Sequence, residues 1–307
     1  MKRADRNSEE RIGSKELATS GHASSGHASR EHALKGNGPE KAYMFDAHIH
    51  LEQYGMRADG TMDWTYVDRL IETWRSGGVQ GVLAVSSDLA SSIRTLQLKQ
   101  RHPDFVRAAI GWHPEYTLND DKAFLELVQL IRTHRAQLSA IGEIGLPHYA
   151  NREQYDLMRE RLVDWARLSV MLDLPLVLHA VYEGTAEALH VLLTAGVKKA
   201  HFHWLKTSPE HLHRVIRSGY MISVTPEVCY RKRDQILVRT VPLTQLLLET
   251  DGPWPYDGPF LGIQTTPLFL ERASACVGYA RLLRQHRRIH EVYQGIEGML
   301  EIEGRSE

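Results

Sequence analysis

Apolar residues along this chain fall into short runs separated by longer segments of helical period. From Tyr43 onward, runs rich in Val, Ile, Leu or Phe predict strands over 43–50, 81–86, 106–113, 140–146, 176–180, 200–204, 221–225 and 246–250. The intervening pattern predicts helices. One spans 63–76, opening on Asp63 as a cap and stopping at Gly77-Gly78. Another spans 121–137, with Phe124, Leu127, Val128 and Ile131 on one face, and a similar one covers 152–172. Thr207-Ser208-Pro209-Glu210 reads as a cap followed by proline in the first turn, and a last helix is predicted over 267–283. Buried-type strands alternating with helices imply parallel strands joined by right-handed crossovers. The pattern therefore predicts an α/β fold, a single (β/α)8 TIM barrel. Roughly 265 residues follow the N-terminal segment, close to the about 250 that such a barrel takes. A doubly wound open sheet is the alternative, but no Gly-x-Gly-x-x-Gly follows the first strand.

Residues 1–41 have a different texture. They are polar, Gly/Ser-rich, and repeat Ser-Gly-His-Ala-Ser at 20–24 and 25–29. Such a segment cannot bury enough apolar surface to offset its ordering entropy, so 1–41 is expected to be a disordered tail and 42–307 a single barrel domain.

Composition narrows the function. Of 307 residues, 42% are hydrophobic and 24% charged, as in globular proteins generally. Lys+Arg number 37 and Asp+Glu 38. A broad basic surface is thereby excluded, and nucleic-acid binding would need a local patch or a metal centre. No apolar stretch is long enough for a membrane span, and the N-terminus lacks a signal-peptide core, so no membrane partner is expected. Cys229 and Cys276 form no close-spaced motif, which reads most simply as a protein of the reducing cytoplasm. No obligate protein partner is evident.

Among 17 histidines, the informative ones lie at predicted strand ends. Strand one ends in Asp46-Ala47-His48-Ile49-His50, strand four in Gly142-Glu143, strand five in His179, strand six in His201-Phe202-His203 and strand eight in Glu249-Thr250-Asp251. In a barrel these ends form one rim, where active sites lie. His48 and His50 are two apart, so both imidazoles face the same side of a strand. Each residue alone has an ordinary reading. Two histidines can occupy a half-buried strand, Glu143 can be ion-paired, His179 can be a core histidine, and Asp251 before Gly252-Pro253 can form a turn. Together they are costly to bury unpaired, and a metal centre removes that cost. His203, nearer the strand end, is the preferred ligand, with His201 deeper.

These segments resemble the TatD family of metal-dependent hydrolases, within the amidohydrolase-like barrels. The resemblance rests on Phe45-Asp46-Ala47-His48-Ile49-His50, Gly111-Trp112-His113-Pro114, Gly142-Glu143-Ile144-Gly145-Leu146, Pro175 to His179, Phe202-His203 and Glu249-Thr250-Asp251-Gly252-Pro253. It implies two divalent ions, one held by His48, His50, Glu143 and Asp251, the other by Glu143, His179 and His203, with Glu143 bridging. Zinc, manganese, iron, nickel or magnesium would suit such donors. It further implies that Asp251 orients the attacking water and acts as its base, alongside Glu143. The implied activity is that of a phosphodiesterase or deoxyribonuclease of the 3'-5' exonuclease type. The chain departs from the family at Pro147-His148 after Leu146, at Val181 where the family often has Arg, and at Trp204-Leu205-Lys206-Thr207 in place of Cys-Phe-Ser-Gly.

The departures fall on the substrate side of the rim. Single-stranded DNA ends fit His113, Trp204 and Arg231 as substrate-binding residues: aromatics stack bases and the Arg231-Lys232-Arg233 run can hold phosphates. Packing tryptophans and a solvated helix start are the alternative reading of the same residues. A small ester, lactone or amide is the alternative substrate, which the missing Arg at Val181 favours. A non-catalytic barrel scaffold is a lesser alternative.

Overall fold

The computed structural model describes residues 44–119 and 121–282; the N-terminal segment expected to be disordered lies outside them. Strands and helices alternate. The strands are β1 (Met44–Ile49), β2 (Val79–Ala84), β3 (Val106–Ile110), β4 (Leu138–Gly145), β5 (Leu176–His179), β6 (Ala200–Phe202), β7 (Met221–Val224) and β8 (Leu246–Leu248). The helices are α1 (Trp64–Ser76), α2 (Leu89–Arg101), α3 (Asp121–Thr133), α4 (Tyr155–Leu172), α5 (Gly184–Ala195), α6 (Pro209–Arg217) and α7 (Lys232–Thr240), followed by α8 over 269–282. The strands stand in sequence order in one eight-stranded sheet, each parallel to the next. The sheet curls into a nearly closed barrel. Beyond the β8 ladder, Asp251 N–H donates to His48 O at 2.9 Å and His50 N–H to Gly252 O at 2.8 Å, tying the last strand to the first.

Helix boundaries follow the capping signals. Asp63 accepts from Tyr66 N–H at the start of α1, and Ser208 accepts from His211 N–H ahead of Pro209 in α6. The helix predicted over 121–137 stops at Thr133 and continues as a tight turn, Arg135–Gln137. The one predicted from 152 opens with a turn, Arg152–Gln154, before α4. Asp173 ends α4 in a left-handed conformation, φ 47°, its N–H satisfying the Ser169 and Val170 carbonyls. The inner helix faces carry the core. Val67, Ile71 and Trp74 of α1 and Phe124, Leu127 and Ile131 of α3 are buried at helical spacing, and Trp165 of α4 packs on Phe124 with ring centroids 4.7 Å apart. No helix among the described residues is long and apolar enough to cross a membrane.

The cysteines correct the reading made from composition. Cys229, at the end of the turn after β7, and Cys276 of α8 are joined in a disulfide with Cα atoms 5.3 Å apart. Their sequence separation of 47 residues hides a proximity that only the docking of α8 creates.

Gly145 shows how tightly the rim is built. Its φ is 145°, and a Cβ there would lie 1.9 Å from the His179 carbonyl oxygen, so only glycine lets β4 and β5 approach where both carry site residues. Gly145→Ala should lower unfolding free energy by about 2–4 kcal/mol, through overpacking and a backbone region closed to side chains. Gly196→Ala, at φ 75° with open space around it, should cost only about 1 kcal/mol. Urea denaturation of the two variants checks the contrast; equal losses would contradict it.

Candidate metal centre

Strand alternation builds the first half of the site. Asp46, His48 and His50 point to one side of β1, while Ile49 packs into the apolar core on the other. The remaining residues arrive at the C-terminal ends of β4, β5, β6 and β8, and neighbouring strands fix their backbones. Glu143 N–H donates to Ser86 O, His203 N–H to Leu178 O and His113 N–H to Ser87 O. Asp251 adopts φ 47°, a left-handed conformation uncommon for aspartate. The surrounding hydrogen bonds hold it there, as expected at a functional site.

Glu143 is the hub, and its two oxygens face different groups. Oε2 lies 3.1 Å from His48 Nε2 and 3.3 Å from His50 Nε2. Asp251 Oδ1 completes that side at 3.4 and 3.5 Å from the same two nitrogens. Oε1 lies 2.9 Å from His203 Nε2, 3.2 Å from His179 Nδ1 and 3.1 Å from His113 Nε2. The His48 and His203 rings stack at 3.9 Å. The six residues expected to bind metal thus come together around Glu143. His201 sits deeper, with Nε2 2.7 Å from Ser223 Oγ.

The buried polar atoms fit an ion. His48 Nδ1 and Nε2, Glu143 Oε2, His203 Nδ1 and Asp251 Oδ1 have no hydrogen-bond partner despite complete burial. Orphaned donors and acceptors in such number are expensive, and divalent cations would satisfy those that face the cluster. Burial, with repulsion from His203, lowers His48 to about 4, whereas the carboxylates around His50, His179 and His203 outweigh burial and raise them, so an ion would have to displace their protons. Burial pushes the Asp251 carboxyl up to about 6, against the pull of His203 and His50. Burial also acts to raise Glu143, but the surrounding histidines outweigh it and hold the carboxyl well below its usual range.

His113 plays a different part from its neighbours. Its Nδ1 accepts from Glu115 N–H at 3.1 Å, which leaves the proton on Nε2, facing Glu143 Oε1. The ring is thus a donor that fixes Glu143 and lines the cavity.

Two carboxylates behind the histidines went unnoticed in the sequence. Glu249 Oε1 lies 3.3 Å from His203 Nδ1 and accepts from Trp204 N–H, while Oε2 accepts from Ser223 Oγ. Burial would raise its pKa, but the His203 charge and contact hold it at about 2. Glu115 Oε1 lies 3.2 Å from His179 Nε2, and the carboxylate accepts from the N–H groups of His148, Tyr149 and Ala150. Those bonds overcome burial and bring it to about 2. Glu249 was within reach as the neighbour of a strand-end aspartate. Glu115 left no local signal.

A cavity of about 570 Å³ opens above the cluster, lined by His113, Trp204, Tyr149 and Trp254 among others. Trp204 is in place as expected. Arg231 does not line this cavity: it precedes α7, pairs with Glu227 and Asp257, and lines an adjoining cavity that shares Trp204 and Trp254 with the first.

Comparison with known proteins agrees with this geometry. The model of the TatD related DNase family matches residues 45–286. An uncharacterised metal-dependent hydrolase of Haemophilus influenzae is 33% identical over 219 residues, covering 70% of this chain and 83% of its own. Human deoxyribonuclease TATDN3 is 28% identical over 221 residues (68% and 78%). The 3'-5' ssDNA/RNA exonuclease TatD of Erwinia tasmaniensis is 28% identical over 217 residues (69% and 80%). The barrel also superposes on the TatD homologue YjjV of Escherichia coli with a TM-score of 0.68, at 22% identity over 78% of this chain and 90% of that one. A family match over residues 45–286, with a relative 33% identical over 83% of its own length, makes this chain a metal-dependent hydrolase belonging to the TatD related DNase family.

Proposed function

We propose that this protein is a phosphodiesterase that removes nucleotides from single-stranded DNA ends, in the manner of a 3'-5' exonuclease, with two divalent ions. His48, His50, Glu143 and Asp251 would hold one ion, and Glu143, His179 and His203 the other. The observation that carries the reading is the division of Glu143, one oxygen toward each group of imidazoles. Paired cations supply a water nucleophile near neutral pH and offset charge on the attacking and leaving oxygens of a phosphoester. The Asp251 carboxylate, beside His48 and His50, would orient that water and accept its proton. Trp204, Trp254 and Tyr149 give the cavity flat aromatic walls suited to a nucleobase. The relatives named as deoxyribonucleases and as an exonuclease support the choice of substrate.

Glu115 and Glu249 act on the histidines. A carboxylate on the outer imidazole nitrogen fixes the ring's orientation and tautomer and leaves the inner nitrogen's lone pair for the ion. Zinc, manganese and magnesium all remain compatible with these donors. We place the protein in the cytoplasm on its sparse cysteine content, with Cys229–Cys276 as an isolated bridge.

Chelation should abolish cleavage of labelled single-stranded DNA, and added divalent metal should restore it. Activity on esters alone, with DNA untouched, would overturn the nuclease reading. Asp251→Asn should lower kcat by about 10²–10⁴-fold with the fold intact by circular dichroism. Glu115→Gln should weaken metal binding by about 10–100-fold in a competition titration, and an unchanged affinity would remove Glu115 from the centre.

A further inference from the structure

The cavity above the metal centre is lined by a single Lys or Arg side chain, Lys206. It stands three residues beyond His203, on the loop from β6 to α6. Its ammonium lies 3.6 Å from the Trp204 ring centroid and 5.5 Å from that of Tyr149, and it donates to Tyr149 Oη at 3.2 Å. No carboxylate among the described residues pairs with it within 4.0 Å. The two arginines nearby are paired: Arg231 with Glu227 and Asp257, Arg233 with Glu227 and Asp234. The loop is fixed at both sides of Lys206. Trp204 N–H is held by Glu249 and Ser223, and Lys206 O accepts from Tyr182 N–H.

Lys206 also lines the adjoining cavity, about 480 Å³, which contains Arg231 and Lys232. Together with Trp204, Trp254 and Pro255 it forms the threshold between the two cavities. A lysine has three donors, and here one is used by Tyr149. A half-buried cation stacked on an indole, without an acidic partner, at the passage from a candidate hydrolytic centre to a second cavity, calls for an anion from outside the protein.

We infer that Lys206 is an anion subsite that binds the phosphate next to the scissile one, so that a strand leaves the metal centre across Trp204 and Trp254 into the second cavity. The inference rests on the nuclease reading and deepens it. It names the group that the enzyme requires beside the bond it cuts. Burial and the nearby Arg233 hold the ammonium below the usual lysine range, against the pull of the carboxylates of Glu227, Asp251 and Asp234, none of which touches it. A phosphate oxygen would replace that lost hydration, and two further donors remain to receive it.

The test uses the metal-loaded full chain with three dinucleotides: TpT, pTpT and TpTp. Wild type should favour one phosphorylated dinucleotide over TpT in kcat/KM by about tenfold, the scale of a charged hydrogen bond. Lys206→Gln should erase that preference and Lys206→Arg should keep most of it. Cleavage without the preference in wild type, or its persistence in Lys206→Gln, overturns the subsite. Calorimetric binding of the same dinucleotides gives a readout that needs no turnover. Equal affinities of wild type and Lys206→Gln for the preferred dinucleotide also overturn it. Lys206-dependent binding without cleavage of any dinucleotide or of longer DNA leaves the subsite standing and overturns the nuclease reading instead.

Discussion

The structure is organised around the cost of burying Glu143. Its carboxylate is fully buried, with five imidazoles from four segments of the chain within 3.3 Å of its oxygens. An ionised carboxylate away from water is tolerated only when charge and hydrogen bonds compensate it. Here the histidines do part of this, but several nitrogens and oxygens face one another with no proton geometry to join them. Such a cluster is poorly satisfied as a set of ion pairs and well suited as a set of donors. The metal-dependent chemistry of the family follows from that imbalance.

The barrel supplies the rigidity that the cluster needs. Strand-to-strand backbone bonds hold Glu143, His113, His203 and Asp251, so their side chains depart from anchored positions. Gly145 permits the close approach of β4 and β5, and the bonds from Asp251 to His48 and from His50 to Gly252 bind the seam at the β8 end. Behind the histidines, Glu115 and Glu249 use backbone N–H groups as well as imidazoles. The same carboxylates thereby fix loop shape and ring orientation. The loop after β6 carries this arrangement into the cavity, because Glu249 holds the Trp204 N–H while the indole supports Lys206.

Much of this was legible in the chain. The alternation of periods located all eight strands, with boundary errors where the chain leaves the ladder before its apolar character ends, as at Gly111 to His113. The six candidate ligands were legible because each is a polar residue at the end of an apolar run. Arg231 lines the adjoining cavity and not the one above the cluster, and a basic run following a strand carries no sign of which cavity it reaches or that it pairs with Glu227 and Asp257. Lys206 was noted only as part of a departure from the family pattern, since a single lysine in a loop carries no sign of what it rests on.

By itself the sequence determined the barrel, its parallel order and the set of residues at its rim. Those follow from local periodicity and from the rule that every strand of a parallel barrel ends at the same face. Only the tertiary structure decided the pairings. Glu115 meets His179 across 64 residues, Glu249 meets Trp204 across 45, and Cys229 meets Cys276 across 47. The choice of Lys206 over Arg231 as the unpaired cation belongs with them. Partners that distant are set by the packing of loops and helices on the finished barrel, which leaves no periodic trace in the residues themselves.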